Sequence, residues 1–386
     1  MLEIGVIGCG NAGGQIANLS NKELNVDAIA INSSENDLAT LPDSLTKILI
    51  TDGQSEKGHG SGKDRAKAKQ FLKDKILQLL KSEEFISFMD RDVVFVVSSC
   101  GGGTGSGISP ILSELLRKRF DGVKIVTIGI LPTLKEAALN QTNAAEYLKE
   151  LYESSEDVSY MLYDNNSYTG MPTYQLLPTV NETIVRDISV IMGKYQTQTE
   201  LESIDENDMK DIISASGRIV VAGLYDVKEK DLEDTSIDEL LVKALKESSH
   251  AELQRDKKIK DLGIITNLSQ KIYDKHDKSL PIVKEFIGKP DIDFIHEVVN
   301  IDNSMPNNAI LVLGGLSPIT DRMMAIKDEV DEFIAEKKKK ESNNNALDIL
   351  SQIDTGAAKE IRKNDKVQSA DSDEIDVEDI FSRFNI

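Results

Sequence analysis

The most constraining feature of the sequence is a run of small residues, Gly101-Gly102-Gly103-Thr104-Gly105-Ser106-Gly107. It follows an apolar stretch, residues 93–97, and leads into residues 108–119, whose apolar positions recur with helical spacing. Without large side chains, the backbone N–H groups of such a loop can surround a phosphate, and the hydroxyl groups of Thr104 and Ser106 add donors. No lysine follows the glycines at the spacing of a Walker A loop. The run therefore predicts a phosphate-binding turn between a buried strand and a helix.

A second glycine loop, Gly8-Cys9-Gly10-Asn11-Ala12-Gly13-Gly14, follows the strand-like residues 4–7 and opens a helix. It matches Gly-x-Gly-x-x-Gly, so a NAD-dependent oxidoreductase built on residues 8–13 is an alternative of another class. A NAD site has an acidic residue at the end of the next strand, whereas that strand runs into Asn32-Ser33-Ser34 here. A tight turn without a ligand is a further alternative, because glycine supplies such turns at no steric cost. Two glycine loops on one sheet favour a ligand with several phosphates.

A third loop, Gly58-His59-Gly60-Ser61-Gly62-Lys63-Asp64, precedes a basic helix. It could close over a terminal phosphate, with Gly60 and Gly62 allowing close approach and Lys63 supplying a positive charge. Loops of this composition are also common on protein surfaces without any ligand. The sequence leaves both interpretations open.

Strand-like and helix-like segments alternate over the first half of the chain, which predicts a doubly wound α/β domain with a parallel sheet. The periodicity continues as a long buried helix and then as a smaller α+β domain with a C-terminal helix. A polar segment with acidic residues near its end follows, and its composition is typical of a disordered tail. The expected units are residues 1–178 (nucleotide-binding domain), 179–201 (central helix), 202–317 (second domain), 318–341 (C-terminal helix) and 342–386 (tail).

The charge balance limits the partners of the chain. There are 45 basic and 66 acidic residues, a net charge of −21, which repels nucleic acid and anionic membrane surfaces. No apolar run approaches the roughly 20 residues that span a bilayer, and the first residues do not resemble a signal peptide. Cys9 and Cys100 each adjoin a glycine loop, a poor basis for a disulfide scaffold. We expect a cytoplasmic protein with reduced thiols, no direct contact with nucleic acid and no membrane attachment.

The glycine run 101–107 resembles the signature of the tubulin/FtsZ superfamily of filament-forming GTPases, and the neighbouring motifs follow in that family's order over roughly residues 1–330. Residues 8–14, 32–34 and 58–64 are similar to the family's first three nucleotide loops, and residues 131–136 to its ribose-side loop. Asn165 and Asn181 match its two base-reading positions, where an amide can pair with the edge of guanine. The resemblance implies GTP or GDP with Mg²⁺. The nucleotide contacts it implies are Gly8, Gly10, Asn11, Ala12, Gly13, Gly14, Asn32, Gly60, Gly62, Lys63, Gly101, Gly102, Gly103, Thr104, Gly105, Ser106, Gly107, Pro132, Glu136, Asn140, Asn165 and Asn181.

Residues 202–211 are similar to the family's synergy loop, whose carboxylates enter the nucleotide site of the next subunit. Asp205 and Asp208 match its two acidic positions, so the resemblance implies that they are catalytic. An isolated acidic cluster of this kind is ordinarily a solvated helix N-terminus. The implied arrangement is a head-to-tail, heterologous contact between copies of the chain, which does not close and produces a filament.

The long C-terminal helix and acidic tail look more like the plasmid- and phage-encoded TubZ-like or PhuZ-like branch, whose filaments move or centre DNA. Asn140 stands where division proteins of the FtsZ type tend to carry an arginine, yet the terminal residues loosely resemble their anchor-binding peptide, so an FtsZ-like division role is an alternative. A scaffold that binds nucleotide without hydrolysing it is another. Residues 371–386, which begin at Asp371, either solvate the chain or dock on an adaptor or a neighbouring subunit.

Overall fold

Ten strands form one continuous sheet in the order β3-β2-β1-β4-β5-β6-β7-β10-β8-β9. The computed structural model describes residues 1–51, 60–153, 158–168, 170–196, 204–250, 259–277, 279–288, 292–300, 305–317, 319–348 and 377–384. The strands are β1 (Ile4–Cys9), β2 (Asp27–Asn32), β3 (Thr46–Leu49), β4 (Val93–Ser99), β5 (Lys124–Leu131), β6 (Ser159–Asp164), β7 (Gly217–Leu224), β8 (Asp261–Ser269), β9 (Ile292–Asn300) and β10 (Asn308–Leu316).

Strands β1 to β6 are all parallel to their neighbours, so their carboxyl ends meet at one edge of the sheet. The central strands are buried on both faces, which explains why β4 reads as an unbroken apolar run and not as an alternating one. Each connection between these strands contains helix. The predicted doubly wound α/β class is therefore confirmed.

The helices are named in chain order. They are α1 (Gly10–Leu24), α2 (Glu35–Ala39), α3 (Arg65–Lys81), α4 (Glu83–Phe88), α5 (Thr104–Arg119), α6 (Ala138–Glu153), α7 (Thr173–Met192), α8 (Glu206–Ser214), α9 (Ile237–Lys246), α10 (Gln270–Tyr273), α11 (Pro281–Ile287), α12 (Thr320–Asp348) and α13 (Val377–Arg383). Apolar side chains of α1, α7 and α8 pack on one face of the parallel sheet, and those of α3, α4 and α5 pack on the other. No helix in the described ranges is both long enough and apolar enough to cross a membrane.

The central helix differs from its predicted bounds of 179–201. It begins at Thr173, before the predicted start, and contains Pro178. It ends at Met192 because Gly193 adopts a left-handed conformation with φ of 100°, a common helix stop. Residues 197–201, the last part of the expected helix, fall outside the described residues.

The second domain does not build a sheet of its own. Strand β7 pairs in parallel with β6 at Ser159–Gly217 and Tyr160–Arg218, and the antiparallel neighbour β10 and then β8 extend the same sheet. Helices α9, α10 and α11 cover this half with a separate apolar cluster. The expected smaller α+β unit is thus an extension of the first sheet, joined to it through a short pairing.

The C-terminal region departs most from expectation. Helix α12 continues to Asp348, past the predicted end at 341. Helix α13 is docked on the nucleotide-binding domain, with Ile380, Phe381 and Phe384 buried. The structure therefore differs from the predicted disordered tail, 342–386, at both of its described ends. Residues 342–348 continue α12, and in α13 the three apolar residues share one face of a helix turn. Residues 349–376 lie outside the described part.

Candidate nucleotide site

A cavity of about 420 Å³ lies at the carboxyl edge of the sheet, beyond the ends of β1, β2 and β4. That volume is within the usual range of small-molecule sites. Residues predicted to contact nucleotide make up most of its lining. They are Gly10, Asn11, Ala12, Asn32, Gly60, Gly62, Lys63, Gly102, Gly103, Thr104 and Gly105, joined by Cys9, Ser34, Asp37, Ser61 and Ser99.

Two helices begin at this cavity without a cap from their own side chains. Helix α1 starts after Cys9 and α5 after Gly103, and neither N-cap side chain accepts a hydrogen bond from the first turn. Neither first turn carries an acidic residue. The first N–H groups of a helix need partners, and the positive end of its dipole favours an anion. Both N-termini are therefore suited to phosphate oxygens.

Close backbone contacts between the three loops explain their glycines. Gly10 has φ of +72°, and a Cβ there would lie 2.8 Å from the backbone nitrogen of Gly105. A Cβ on Gly103 would lie 2.4 Å from the Cα of Lys63. Since Cβ atoms essentially never come that close to backbone, larger residues at Gly10 and Gly103 would separate the loops.

Eleven of the predicted contacts do not line the cavity. Six of them belong to the glycine loops, namely Gly8, Gly13, Gly14, Gly101, Ser106 and Gly107, and the other five are Pro132, Glu136, Asn140, Asn165 and Asn181. A Cβ on Gly8 would meet the carbonyl oxygen of Gly13 at 2.1 Å, and one on Gly13 would meet that of Val97 at 2.2 Å. The small size of these two residues is needed for packing the first loop on the sheet. A direct contact of these two residues with a ligand stays a prediction.

Arg65 supports the 101–107 loop through hydrogen bonds to Ser106 and was missed by sequence reasoning. Its Nε donates to Ser106 Oγ at 3.2 Å, and its Nη2 donates to the Ser106 carbonyl at 2.9 Å. Ser106, expected to donate to phosphate, donates instead to the carbonyl of Gly102. Arg65 is almost fully buried, and Glu146 and Glu150 balance its charge. In the sequence, the position of Arg65 directly after the third loop indicated only the start of a basic helix.

Asn143 on α6 is a second supporting residue that the sequence did not reveal. Its Nδ2 lies within hydrogen-bond distance of three carbonyl oxygens, those of Lys63 (3.2 Å), Gly101 (3.2 Å) and Gly102 (2.9 Å). The side chain is 4% exposed. One amide thus links the third loop to the 101–107 loop.

Hydroxyl groups tie the remaining loop to the same point. Ser33 Oγ lies 2.7 Å from Thr104 Oγ1, and Ser61 Oγ lies 3.2 Å from that atom. Ser33 Oγ also accepts a hydrogen bond from the Ser61 backbone at 3.1 Å. Thr104 is therefore the shared contact of the loops that follow β2 and precede α3.

The predicted ribose-side residues form a connected group beside the cavity. Glu136 accepts from the backbone N–H of Thr133 at 2.9 Å and from Asn140 Nδ2 at 2.7 Å. Asn140 Oδ1 in turn accepts from Lys63 Nζ at 3.0 Å. The backbone of Gly101 packs against both Asn140 and Pro132. The charge of Lys63 is thus held between the third loop and the ribose-side loop.

The two predicted base-reading residues differ in their surroundings. Asn165 follows β6 and is 8% exposed, and its Oδ1 has no hydrogen-bond partner among the residues that the structure describes. Asn181 lies on α7 and is half-buried. Arg322 of α12, another residue that sequence reasoning missed, donates to Asp164 Oδ2 at 2.8 Å and to the carbonyl of Pro132. Arg322 therefore links the base-side and ribose-side segments.

Asp205 and Asp208 lie at the other edge of the sheet. Lys210 of α8 pairs with Asp92, just before β4, at 2.6 Å, and the amino group of Met1 pairs with Glu206. These contacts put the start of α8 at the amino ends of β1 and β4. Six residues of β1 separate that edge from the glycine loops, a distance of about 20 Å. The two acids therefore lie far from the cavity of their own chain.

The two carboxylates cap α8. Asp205 Oδ1 accepts from the backbone N–H groups of Asn207 (2.7 Å) and Asp208 (2.9 Å), and Asp208 Oδ2 accepts from that of Asp205 (2.9 Å). This reciprocal pair is a capping box. Within the described ranges the second oxygen of each carboxylate has no hydrogen bond, so it is available to water or to another molecule.

Both cysteines are free and fully buried. Burial strongly raises the pKa of each thiol above its usual value. The thiols next to the two glycine loops are therefore protonated at neutral pH and behave as small apolar residues.

Fold and cavity together define a class: an α/β protein whose helix N-termini and glycine loops are suited to phosphate, with no lysine at the spacing of a Walker A loop. Residues 3–171 match the sequence model described as "Tubulin/FtsZ family, GTPase domain". Residues 3–171, a little under half of the chain, are therefore similar to this GTPase domain.

Similar proteins agree with this assignment. Tubulin-like protein CetZ5 of Haloferax volcanii is 30% identical over 224 residues, which cover 54% of this chain and 56% of the relative. The chain thus spans a little over half the length of that relative. Among solved structures, TubZ of Clostridium botulinum phage c-st superposes with a TM-score of 0.69 at 22% identity, covering 86% of this chain and 99% of that one. The GTPγS-bound protofilament of Haloferax volcanii CetZ2 gives 0.69 at 20% identity, covering 87% and 99%. At these identities both structures show a likeness in fold alone.

Proposed function

We propose that this chain is a GTPase that assembles head to tail into filaments and hydrolyses GTP where two subunits meet. One observation carries the proposal: the uncapped N-termini of α1 and α5 converge on the 420 Å³ cavity at one edge of the sheet, while Asp205 and Asp208 lie at the other edge.

The cavity would hold the phosphates against the first turns of α1 and α5, with Gly60, Gly62 and Lys63 closing over the terminal phosphate. One feature points to guanosine. Within the described residues, the buried Oδ1 of Asn165 has no hydrogen-bond partner, and it can accept the N1–H and N2–H₂ groups of guanine. A second feature argues against NAD: Asn32, at the end of β2, offers an amide where a NAD site has an acidic residue.

Mg²⁺ fits the donor set in a limited way. Asp37 is the single carboxylate that lines the cavity in the described part of the chain, and Ser and Thr hydroxyls are the other polar oxygens. Mg²⁺ keeps several waters and binds through one or two carboxylates plus substrate phosphates. When bound, the ion would neutralise charge that develops on the phosphates. Asp37 and Thr104 are the residues that would hold it, through water or directly.

Hydrolysis would depend on the neighbouring subunit. Phosphoryl transfer needs mainly positioning of the attacking water and stabilisation of charge. The free oxygens of Asp205 and Asp208 can orient water, but their own chain places them about 20 Å from its cavity. A head-to-tail contact brings the amino edge of one subunit onto the carboxyl edge of the next. The capping box then fixes both carboxylates for this task.

The cargo role we propose is the positioning of plasmid or phage DNA. Support comes from the likeness in fold to the phage c-st TubZ and from the long α12, with the net charge of −21 requiring an adaptor between filament and DNA. Imaging of a tagged chain in cells that carry the plasmid or phage should place DNA at the filaments. DNA positions that do not change with the Asp208→Asn substitution would contradict this role.

Pelleting and electron microscopy with GTP, GDP, ATP and a slowly hydrolysed GTP analogue, with phosphate release followed in parallel, test the proposal. We expect polymer with GTP and with the analogue, and phosphate release that accompanies assembly with GTP only. Binding of NAD without a sedimenting polymer would identify an oxidoreductase instead. GTP that survives unhydrolysed in the polymer would identify a scaffold.

A further inference from the structure

The C-terminal helix α13 occupies a groove between α3 and α5 of its own chain. Ile380 and Phe381 are fully buried and Phe384 is 6% exposed, all within the core that α3 and α5 form with the sheet. Lys73 of α3 lies over the Phe381 ring, and Lys69 lies over the Phe384 ring, at 5.7 and 5.8 Å from the ring centres. The groove therefore fits a short amphipathic helix whose two aromatic anchors are three residues apart.

Polar contacts fix the C-terminal end of that helix. Arg383 donates to the buried Glu114 of α5 at 3.1 Å, and the carbonyl oxygen of Phe384 accepts from Lys69 Nζ at 3.1 Å. Burial opposes ionisation of Glu114, but hydrogen bonding and charge from Arg117, with Lys118 and Arg383, outweigh it and keep its pKa below the usual value. Glu114 is thus ionised at neutral pH and attracts the helix.

A continuous path leads from this helix to the 101–107 loop. Lys69 Nζ, which holds the Phe384 carbonyl, also donates to Glu150 Oε1 at 2.7 Å. Glu150 Oε2 accepts from Arg65 Nη2 at 2.6 Å, and Arg65 donates to both the hydroxyl and the carbonyl of Ser106. Lys69, Glu150 and Arg65 have side chains that are 9%, 14% and 3% exposed. Low exposure limits screening by solvent, so a change in the contacts of Lys69 alters the electrostatic interactions of Glu150 and Arg65 more than it would at the surface.

We propose that the docked C-terminal segment, residues 377–384, acts in cis as a support for the nucleotide site through Lys69, Glu150 and Arg65. Docking gives Lys69 Nζ the Phe384 carbonyl as an acceptor and holds Glu150 against Arg65. Arg65 in turn fixes Ser106 and the loop that presents N–H groups to phosphate. Anything that takes the segment out of the groove, an adaptor or another copy of the chain, then weakens nucleotide binding. This inference rests on the proposed function, because it assumes that the cavity binds GTP or GDP.

Thermodynamic linkage makes the coupling testable from both ends. If docking tightens nucleotide binding by some factor, the nucleotide must tighten docking by the same factor. Couplings between sites are typically on the order of 5-fold or more. GDP is the suitable probe, because the dilute chain with GDP can be measured apart from hydrolysis.

The test uses the full chain. It compares a double variant, which carries both Phe381→Ala and Phe384→Ala, with the control variant Phe333→Ala. Phe333 on α12 is 41% exposed, so its replacement removes an aromatic ring without opening the groove. We expect the double variant to lose hydrogen-exchange protection at 377–384 and to bind GDP about 5-fold more weakly. Phe333→Ala should leave both unchanged. Wild-type chain should show greater protection of 377–384 with GDP than without it.

A Lys69→Met variant separates the path from the packing. It keeps the apolar anchors in place, so residues 377–384 should keep their hydrogen-exchange protection. GDP affinity should fall. Adding the double substitution of Phe381 and Phe384 to Lys69→Met should then lower GDP affinity no further. Release of 377–384 with unchanged GDP affinity would overturn the coupling and leave the proposed function intact. Failure of the wild-type chain to bind either GDP or GTP would overturn both.

Discussion

At the carboxyl edge of the sheet, α1 and α5 begin at Cys9 and Gly103 without a side-chain cap, whereas at the amino edge α8 begins with a capping box formed by Asp205 and Asp208. The first edge leaves backbone donors for a ligand. The second satisfies its donors internally and leaves one oxygen of each carboxylate over. Phosphate-binding groups and water-orienting groups are thus divided between opposite edges, and one chain alone does not bring them together.

Gly10→Ala should have the largest effect on this contrast, because it disrupts the ligand-binding edge. The new Cβ would lie 2.8 Å from the Gly105 nitrogen at a backbone φ of +72°, so the two glycine loops must separate. We expect GTP affinity to fall on the order of 100-fold, as the strain and the displaced N–H groups together remove about 3 kcal/mol. Isothermal titration with GTP measures this.

Gly62→Ala is the matched control for Gly10→Ala. Gly62 also lines the cavity and has φ of +62°, but nothing lies within 4 Å of its added Cβ. It shares the backbone strain without the contact between loops. Equal losses of affinity in the two variants would show that strain alone, and not loop contact, explains Gly10.

Asp205→Asn and Asp208→Asn separate capping from catalysis at the other edge. Asparagine can accept the same backbone hydrogen bonds and is a good N-cap, so unfolding free energy should change by only a few tenths of a kcal/mol. Loss of the carboxylate should lower GTP turnover about 100-fold while GTP binding is kept. Thermal unfolding, GTP binding and phosphate release are the three measurements.

The capping box of α9 supplies the control. Ser236 and Glu239 form the same reciprocal pair in the second domain, away from both proposed halves of the site. Ser236→Ala should destabilise the fold by about 1 kcal/mol and leave turnover per folded subunit unchanged. If the α8 variants behaved like Ser236→Ala, Asp205 and Asp208 would be caps and nothing more.

Asn165→Ala should have the smallest effect, because it removes one hydrogen-bonding group beside the base. Loss of the unpartnered Oδ1 as an acceptor should weaken GTP binding by about 5-fold and leave ITP, which lacks the 2-amino group, less affected. Competition between GTP and ITP for wild type and variant checks this. An identical ratio in both would remove Asn165 from base recognition.

The two edges also differ in how well the sequence predicted them. Glycine loops after apolar strands are local signals, so the cavity lining was largely anticipated, from Gly10 to Thr104. Gly8 and Gly13 were predicted to contact the ligand, and their small size is also needed for packing. Sequence cannot tell these two requirements apart. Arg65, Asn143 and Arg322 were missed because they act through residues distant in the sequence: Ser106, Gly102 and Asp164.

The ends of elements and the C-terminus were least predictable. Helices were predicted over residues 179–201 and 318–341. Helix α7 instead runs from Thr173 to Met192, where a left-handed Gly193 follows, and α12 runs to Asp348. Composition indicated disorder for the acidic tail. It did not reveal that Phe381 and Phe384 match a groove on α3 and α5, because a docking site is a property of the folded surface.

The dependence of GTP turnover on protein concentration tests the divided site most directly. Turnover per subunit is measured from well above to far below the concentration at which polymer forms, with Asp208→Asn as the inactive reference. Because the cavity of one chain needs the carboxylates of another, turnover per subunit should fall towards that reference as the chain is diluted. Turnover per subunit that stayed constant on dilution would contradict the account.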